Sequence, residues 1–131
     1  MEVRNPIVWF EIYIEDLDRA KKFYELVLHT KLERLLTPET TNETGGVEMI
    51  TFPMDRNCPG ASGALVKMEG VNAGGNSTLV YFASNDCSID EARVDKAEGK
   101  IFRPKMSIGN YGYISLFYDT EGNMVGLHSM K

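Results

Sequence analysis

The sequence predicts an α+β fold of two βαβββ modules whose curved sheets enclose a cavity, and three observations carry that expectation. The order strand, helix, three strands occurs twice along the chain. In each copy an acidic and polar stretch, EDLDRAKKFYE and later NDCSIDEARVD, stands between the first strand and the helix. Between the copies lies EGVNAGGN, whose glycines and asparagines make a flexible connector. Self-similarity with a unit of roughly 50 to 60 residues is the mark of a duplicated module. Residues 1–131 are therefore expected to form a single domain made of modules 5–70 and 76–130.

The elements follow in order. Residues 7–15, IVWFEIYIE, are dense in β-branched and aromatic side chains and predict a strand. In DLDRAKKFYELVL the apolar residues Leu17, Ala20, Phe23, Tyr24, Val27 and Leu28 recur at spacings of three and four, the stripe of a helix capped by Asp16. Strands are expected over 31–36, 47–52 and 62–68, separated by loops rich in Thr, Asn, Gly and Pro. The second module repeats this with a strand at 78–83 (TLVYFA), a helix at 88–98 ended by Gly99, and strands at 100–105, 112–118 and 124–128. A helix covers one face of each sheet, which leaves the other face as the place to look for function.

Composition narrows the function classes. A hydrophobic fraction of 43% with 25% charged residues excludes disorder over the whole length. Net charge is -5, and no cluster of Lys and Arg interrupts it, so neither nucleic acid nor an anionic membrane is an expected partner. The apolar runs are strand-sized, and MEVRNPIVWF lacks the basic start and apolar stretch of a signal peptide, which makes a cytoplasmic location the default expectation. Cys58 and Cys87 stand alone among turn formers and read as reduced, unpaired thiols, with a disulfide between them as the other possibility.

The paired modules, the helix DLDRAKKFYELVL and the closing segment GYISLFYDTEGNMVGLHS resemble the vicinal oxygen chelate superfamily, which includes glyoxalase I, extradiol dioxygenases, fosfomycin-resistance enzymes and bleomycin-resistance proteins. The resemblance spans residues 7–129. It implies that the first and last strands of each module supply His, Glu or Gln ligands to a divalent ion, with open positions left for a bidentate substrate. Seven residues before Asp16 that position holds Trp9, and seven before Asp86 it holds Leu79, or Thr78 in a register shifted by one. On the last strand the place of the acidic ligand falls on Gly126, and the remaining one falls around Gly63 to Leu65. None of the four supplies a metal donor. No metal ligand and no cofactor is therefore expected, and Gly126 points to close approach of a backbone or a ligand.

Strand alternation groups Trp9, Glu11 and Tyr13 on one face of the first strand, Leu79 and Tyr81 on the second module's first strand, and Met124, Gly126 and His128 on the last. Together they describe an aromatic cleft with one carboxylate and one imidazole. Core filling is the competing account of Trp9 and Tyr81. For Glu11 it is an ion pair or a solvent-open mouth, and for His128 a half-exposed strand end. A Glu11/His128 acid–base pair is the catalytic candidate. The segment SIGNYGY brings Tyr111 and Tyr113 as a lid or as an ordinary hairpin loop. His29, where the resemblance implies glycine, is accounted for by capping.

These readings predict a glyoxalase/bleomycin-resistance-like protein that binds or sequesters a small aromatic or amphipathic molecule without metal. A divalent-metal-dependent lyase, isomerase or dioxygenase working through Glu11 and His128 is the alternative, and a cavity filled by side chains, serving only in an assembly, is the third. Unpaired sheet edges and the resemblance both point to a homodimer.

Overall fold

A computed structural model of the protein describes residues 9–35, 46–75 and 79–131. Their order is β1 (Trp9–Tyr13), α1 (Leu17–Leu28), β2 (Glu33–Arg34), β3 (Val47–Thr51), β4 (Ser62–Met68), β5 (Tyr81–Ala83), α2 (Cys87–Glu91), β6 (Lys100–Ser107), β7 (Tyr113–Tyr118) and β8 (Met124–Ser129). Residues 7, 8, 36 and 78, which belong to the expected strands, lie outside the described residues. Two four-stranded sheets result, ordered β1-β4-β3-β2 and β5-β8-β7-β6. In each, the first strand of the module runs parallel to the last and the remaining pairs are antiparallel. The expected strand–helix–three-strand order is present in both halves, one mixed sheet to each.

Alternation decides the faces of β1. Ile12 is buried, as is Ile14 just beyond the strand, and Phe10 packs against the core, while Trp9 and Glu11 stay exposed on the opposite face. Helix α1 starts where expected. Asp16, in an extended conformation, accepts a hydrogen bond from the Arg19 amide, and Leu17, Ala20, Phe23, Tyr24 and Val27 form the buried stripe. The helix ends at His29, which adopts the left-handed conformation (φ 51°) and donates its backbone N–H to the Glu25 carbonyl.

The second helix departs from expectation. Its α-helical part is Cys87–Glu91 rather than 88–98, and the chain continues in tighter turns in which Val94, Ala97 and Glu98 donate to the carbonyls three residues earlier. Val94 and Ala97, three residues apart, are both buried, and three-residue winding puts them on one line where α-helical winding would begin to splay them. The left-handed residue that reverses the chain is Glu98 (φ 69°), not Gly99. Gly99 answers a different need: a Cβ there would stand 2.4 Å from a ring carbon of Phe23 and 2.7 Å from the Tyr118 carbonyl.

One aromatic core spans both modules. Ring centroids of Phe10 lie 5.3 Å from Phe52 and 5.2 Å from Phe82, Phe52 lies 5.3 Å from Phe82, and Phe23 lies 5.9 Å from Phe117. Phe82 and Phe117 come from the second module, so burying these rings welds the halves together, each large ring contributing about 2 to 3 kcal/mol of hydrophobic free energy. Among the described residues no helix is long and apolar enough to cross a membrane.

Candidate functional site

The seam between the modules is built around the turn DTEGN, residues 119–123. Asp119 Oδ1 accepts from the amides of Glu121 and Asn123, both at 2.8 Å, and its Oδ2 accepts from the Tyr24 hydroxyl at 2.6 Å. Burial raises the Asp119 carboxyl above its usual value despite these donors, and burial together with Asp119 pushes the Tyr24 phenol well up. Glu121 reaches the other module. Its side chain is fully buried and accepts from the amides of Glu15 and Asp16, both at 2.9 Å, from Arg19 Nε and Nη2 at 2.8 Å, and from Thr120 Oγ1 at 2.8 Å. Burial pushes the Glu121 carboxyl up, but Arg19, the two amides and Thr120 outweigh it and hold it at about 2.

Asn123 completes the clasp by donating from Nδ2 to the Tyr13 carbonyl at 2.9 Å and accepting from the Gly74 amide at 2.8 Å. The start of β8 is thereby held against the end of β1. At the far end of α1, Arg93 Nε donates to the Val27 carbonyl at 2.8 Å, so the second module grips both ends of the first module's helix. Sequence reasoning passed over Glu121, Asn123 and Arg93. A fully polar turn between two apolar strands was the one signal available.

The clasp shapes a pocket of about 190 Å³ at the seam, lined by Glu11, Tyr13, Asn72, Val80, Asn123 and Met124 among others. Glu11 is held on both sides along β1: Trp9 Nε1 donates to Oε2 at 3.2 Å and the Tyr13 hydroxyl to Oε1 at 2.9 Å. The bond to Glu11, with burial, raises the Tyr13 phenol above its usual value, so at neutral pH the phenol stays protonated and remains the donor. A larger, more open groove of about 470 Å³ lies over Val47, Lys67 and Met68, and none of the expected site residues lines it.

The remaining expected residues divide between the two faces of the second sheet. Register places Tyr81 beside Gly126 and Ala83 beside His128, with Leu116 and Ile114 on the other side of β8, so Tyr81, Met124, Gly126 and His128 share the face turned away from the helices. Leu79, just before β5, is exposed. Glu11 stands on β1 of the first sheet and His128 on β8 of the second, with Glu11 turned to Trp9 and Tyr13. Tyr113 does not join the cleft: it pairs with Ser129, packs against the helix-side core, and lies beneath Lys105 Nζ at 4.6 Å. Adjacency to a glycine-rich loop suggested a lid, but strand register turns the ring the other way. The Tyr111 side chain lies outside the described residues.

Gly126 has a plain steric reason. A Cβ there would meet Tyr81 ring carbons at 2.4 and 2.5 Å and a Leu116 methyl at 3.1 Å. The close approach at this glycine comes from a neighbouring aromatic side chain, not from the backbone or ligand expected there. The residues present do not fit a divalent ion. Trp9 and Leu79 have no suitable donor, Gly126 lies against Tyr81, and Ala64 stands opposite Glu11 on β4. Among the described residues no three of His, Cys, Asp or Glu converge. Cys58 is exposed and Cys87 buried, and both are free.

The family model described as Glyoxalase/Bleomycin resistance protein/Dioxygenase superfamily matches residues 6–127. No curated protein matches the chain in sequence. Among solved structures, glyoxalase I from Zea mays is 24% identical with a TM-score of 0.72 over 95% of this chain, which spans 46% of the maize protein. A glyoxalase/bleomycin resistance protein from Albidiferax ferrireducens is 18% identical (TM-score 0.67), with 94% of this chain and 98% of that one covered. The trypanothione-dependent glyoxalase I of Leishmania major is 17% identical (TM-score 0.68), with 97% and 88% covered. At these identities the structural likeness shows the fold alone.

Proposed function

The chain belongs to the glyoxalase/bleomycin resistance protein/dioxygenase superfamily, and from that premise we propose that it binds or sequesters a small organic molecule in the aromatic cleft at the seam, without a divalent ion held by the protein. One observation carries this reading: the positions where the superfamily resemblance implies ligands hold Trp9, Leu79 and Gly126, while Glu11, on the same face of β1 as Trp9, accepts hydrogen bonds from Trp9 and Tyr13. A carboxylate whose two oxygens are each steered by a neighbouring donor is preorganised for a ligand rather than free to swing. Trp9 and Tyr81, each more than a third exposed, supply apolar area at low conformational cost. The clasp at Glu121 and Asn123 keeps both walls of the pocket in register.

Two copies are proposed to associate as a homodimer, supported by the edge positions of β1 and β5 in their sheets. Elemental analysis of the purified protein, paired with ligand titrations followed by tryptophan emission, tests the binding reading. Trp9 is the sole tryptophan and is hydrogen-bonded to Glu11, so its emission responds to events at that carboxylate. Substoichiometric metal and saturable emission changes are expected. Stoichiometric nickel, zinc, manganese or iron that is lost on mutating Glu11 or His128 overturns the reading in favour of metal-dependent chemistry.

A further inference from the structure

We propose that the seam cleft takes an organic cation, an ammonium group carried on an apolar or aromatic body. The inference rests on the binding reading above and names the ligand class of that same site. Among the described residues lining the seam pocket, Glu11 carries the sole charge, and no Lys, Arg or His stands with it. An apolar ligand seated there would desolvate a carboxylate and give nothing back, a neutral donor would return only an uncharged hydrogen bond, and an anion would be repelled outright. A cation restores what burial removes.

The arrangement of donors sharpens the point. Each Glu11 oxygen receives one hydrogen bond, from Trp9 Nε1 at 3.2 Å and from the Tyr13 hydroxyl at 2.9 Å. A carboxylate accepts about four hydrogen bonds, so both oxygens keep room for N–H donors from a ligand while their direction is already set. The donors belong to aromatic side chains two residues before and after the acid, so apolar area for the body of a ligand stands directly beside it. The chain as a whole carries a net charge of -5, which attracts cations to the cleft.

Size fixes the rest of the ligand. The pocket, at about 190 Å³, is smaller than the 300 Å³ or so at which drug-sized ligands are enclosed. It accommodates a head group, leaving the apolar body to rest on the open face, where Trp9 and Tyr81 are exposed.

The test compares benzylamine, a cation at neutral pH, with benzyl alcohol, its uncharged analogue of nearly the same shape, by titrating Trp9 emission in the full chain and in Glu11→Gln. Benzylamine is expected to bind more tightly than the alcohol, to lose affinity about tenfold in Glu11→Gln, and to weaken with added salt, whereas the alcohol responds to neither change. The salt series on the wild-type protein keeps the test sound should the variant fold poorly. Equal binding of both probes, indifferent to salt and to Glu11, overturns the cation inference and leaves the small-molecule cleft standing. Failure of both probes to perturb Trp9 at millimolar concentration overturns the two together.

Discussion

Glu121→Gln removes the charge from the clasp while keeping its shape, and the structure sets the size of the effect. Ionised Glu121 titrates at about 2 in the folded chain against 4.5 for the free group. At about 1.4 kcal/mol per pH unit, that displacement corresponds to about 3 kcal/mol of stability, and screening at the half-exposed Arg19 trims it to about 2 kcal/mol. An unfolding entropy near 2.1 cal/mol/K per residue gives about 0.28 kcal/mol/K for this chain, so the variant should melt about 7 °C lower at pH 7. Because the folded value lies below the unfolded one, the stabilisation is complete above about 4.5 and is lost as pH falls through about 2. Thermal unfolding of both proteins, followed by far-UV circular dichroism from pH 7 to pH 2, should therefore show melting curves that converge at the acid end. A gap that persists unchanged at pH 2, or no gap at pH 7, refutes the account of Glu121 as an ionised clasp.

Two further perturbations probe the glycine pocket and the helix end. Gly126→Ala should destabilise by about 1 to 2 kcal/mol, because its methyl group meets the Tyr81 ring, and Tyr81→Ala should relieve most of that loss in the double variant; additive losses measured by urea unfolding would show that Tyr81 is not what Gly126 accommodates. His29→Gly should stabilise by about 1 kcal/mol, since the left-handed φ of 51° is costly for a side chain and free for glycine; a lower melting temperature would instead mean that the imidazole contributes to the cap.

Much of the architecture was legible in the sequence because it is local. Asp16 caps the first helix as its place before the apolar stripe indicated, and alternation correctly separated Trp9 and Glu11 from Phe10, Ile12 and Ile14. Expectations failed where a distant partner set the outcome. Helix α2 is cut short at Glu91, where the chain tightens to bury Val94 and Ala97 together and Arg93 reaches across to the Val27 carbonyl. Tyr113 turns away from the cleft because its pairing with Ser129, sixteen positions along the chain, decides its face.

By itself, the sequence determined the order of strands and helices, which side of β1 is wet, and that a carboxylate sits among aromatic side chains there; side-chain periodicity and capping chemistry act over a few residues and are written in any short window. Tertiary structure decided what those groups do. Glu121 became the clasp only on meeting amides 105 and 106 positions away, Gly126 owes its place to the Tyr81 ring, and the seam pocket exists because Asn123 brings β8 against the end of β1. Such contacts depend on how two separately written modules dock, and docking is settled by the summed burial of rings from both halves rather than by any one segment.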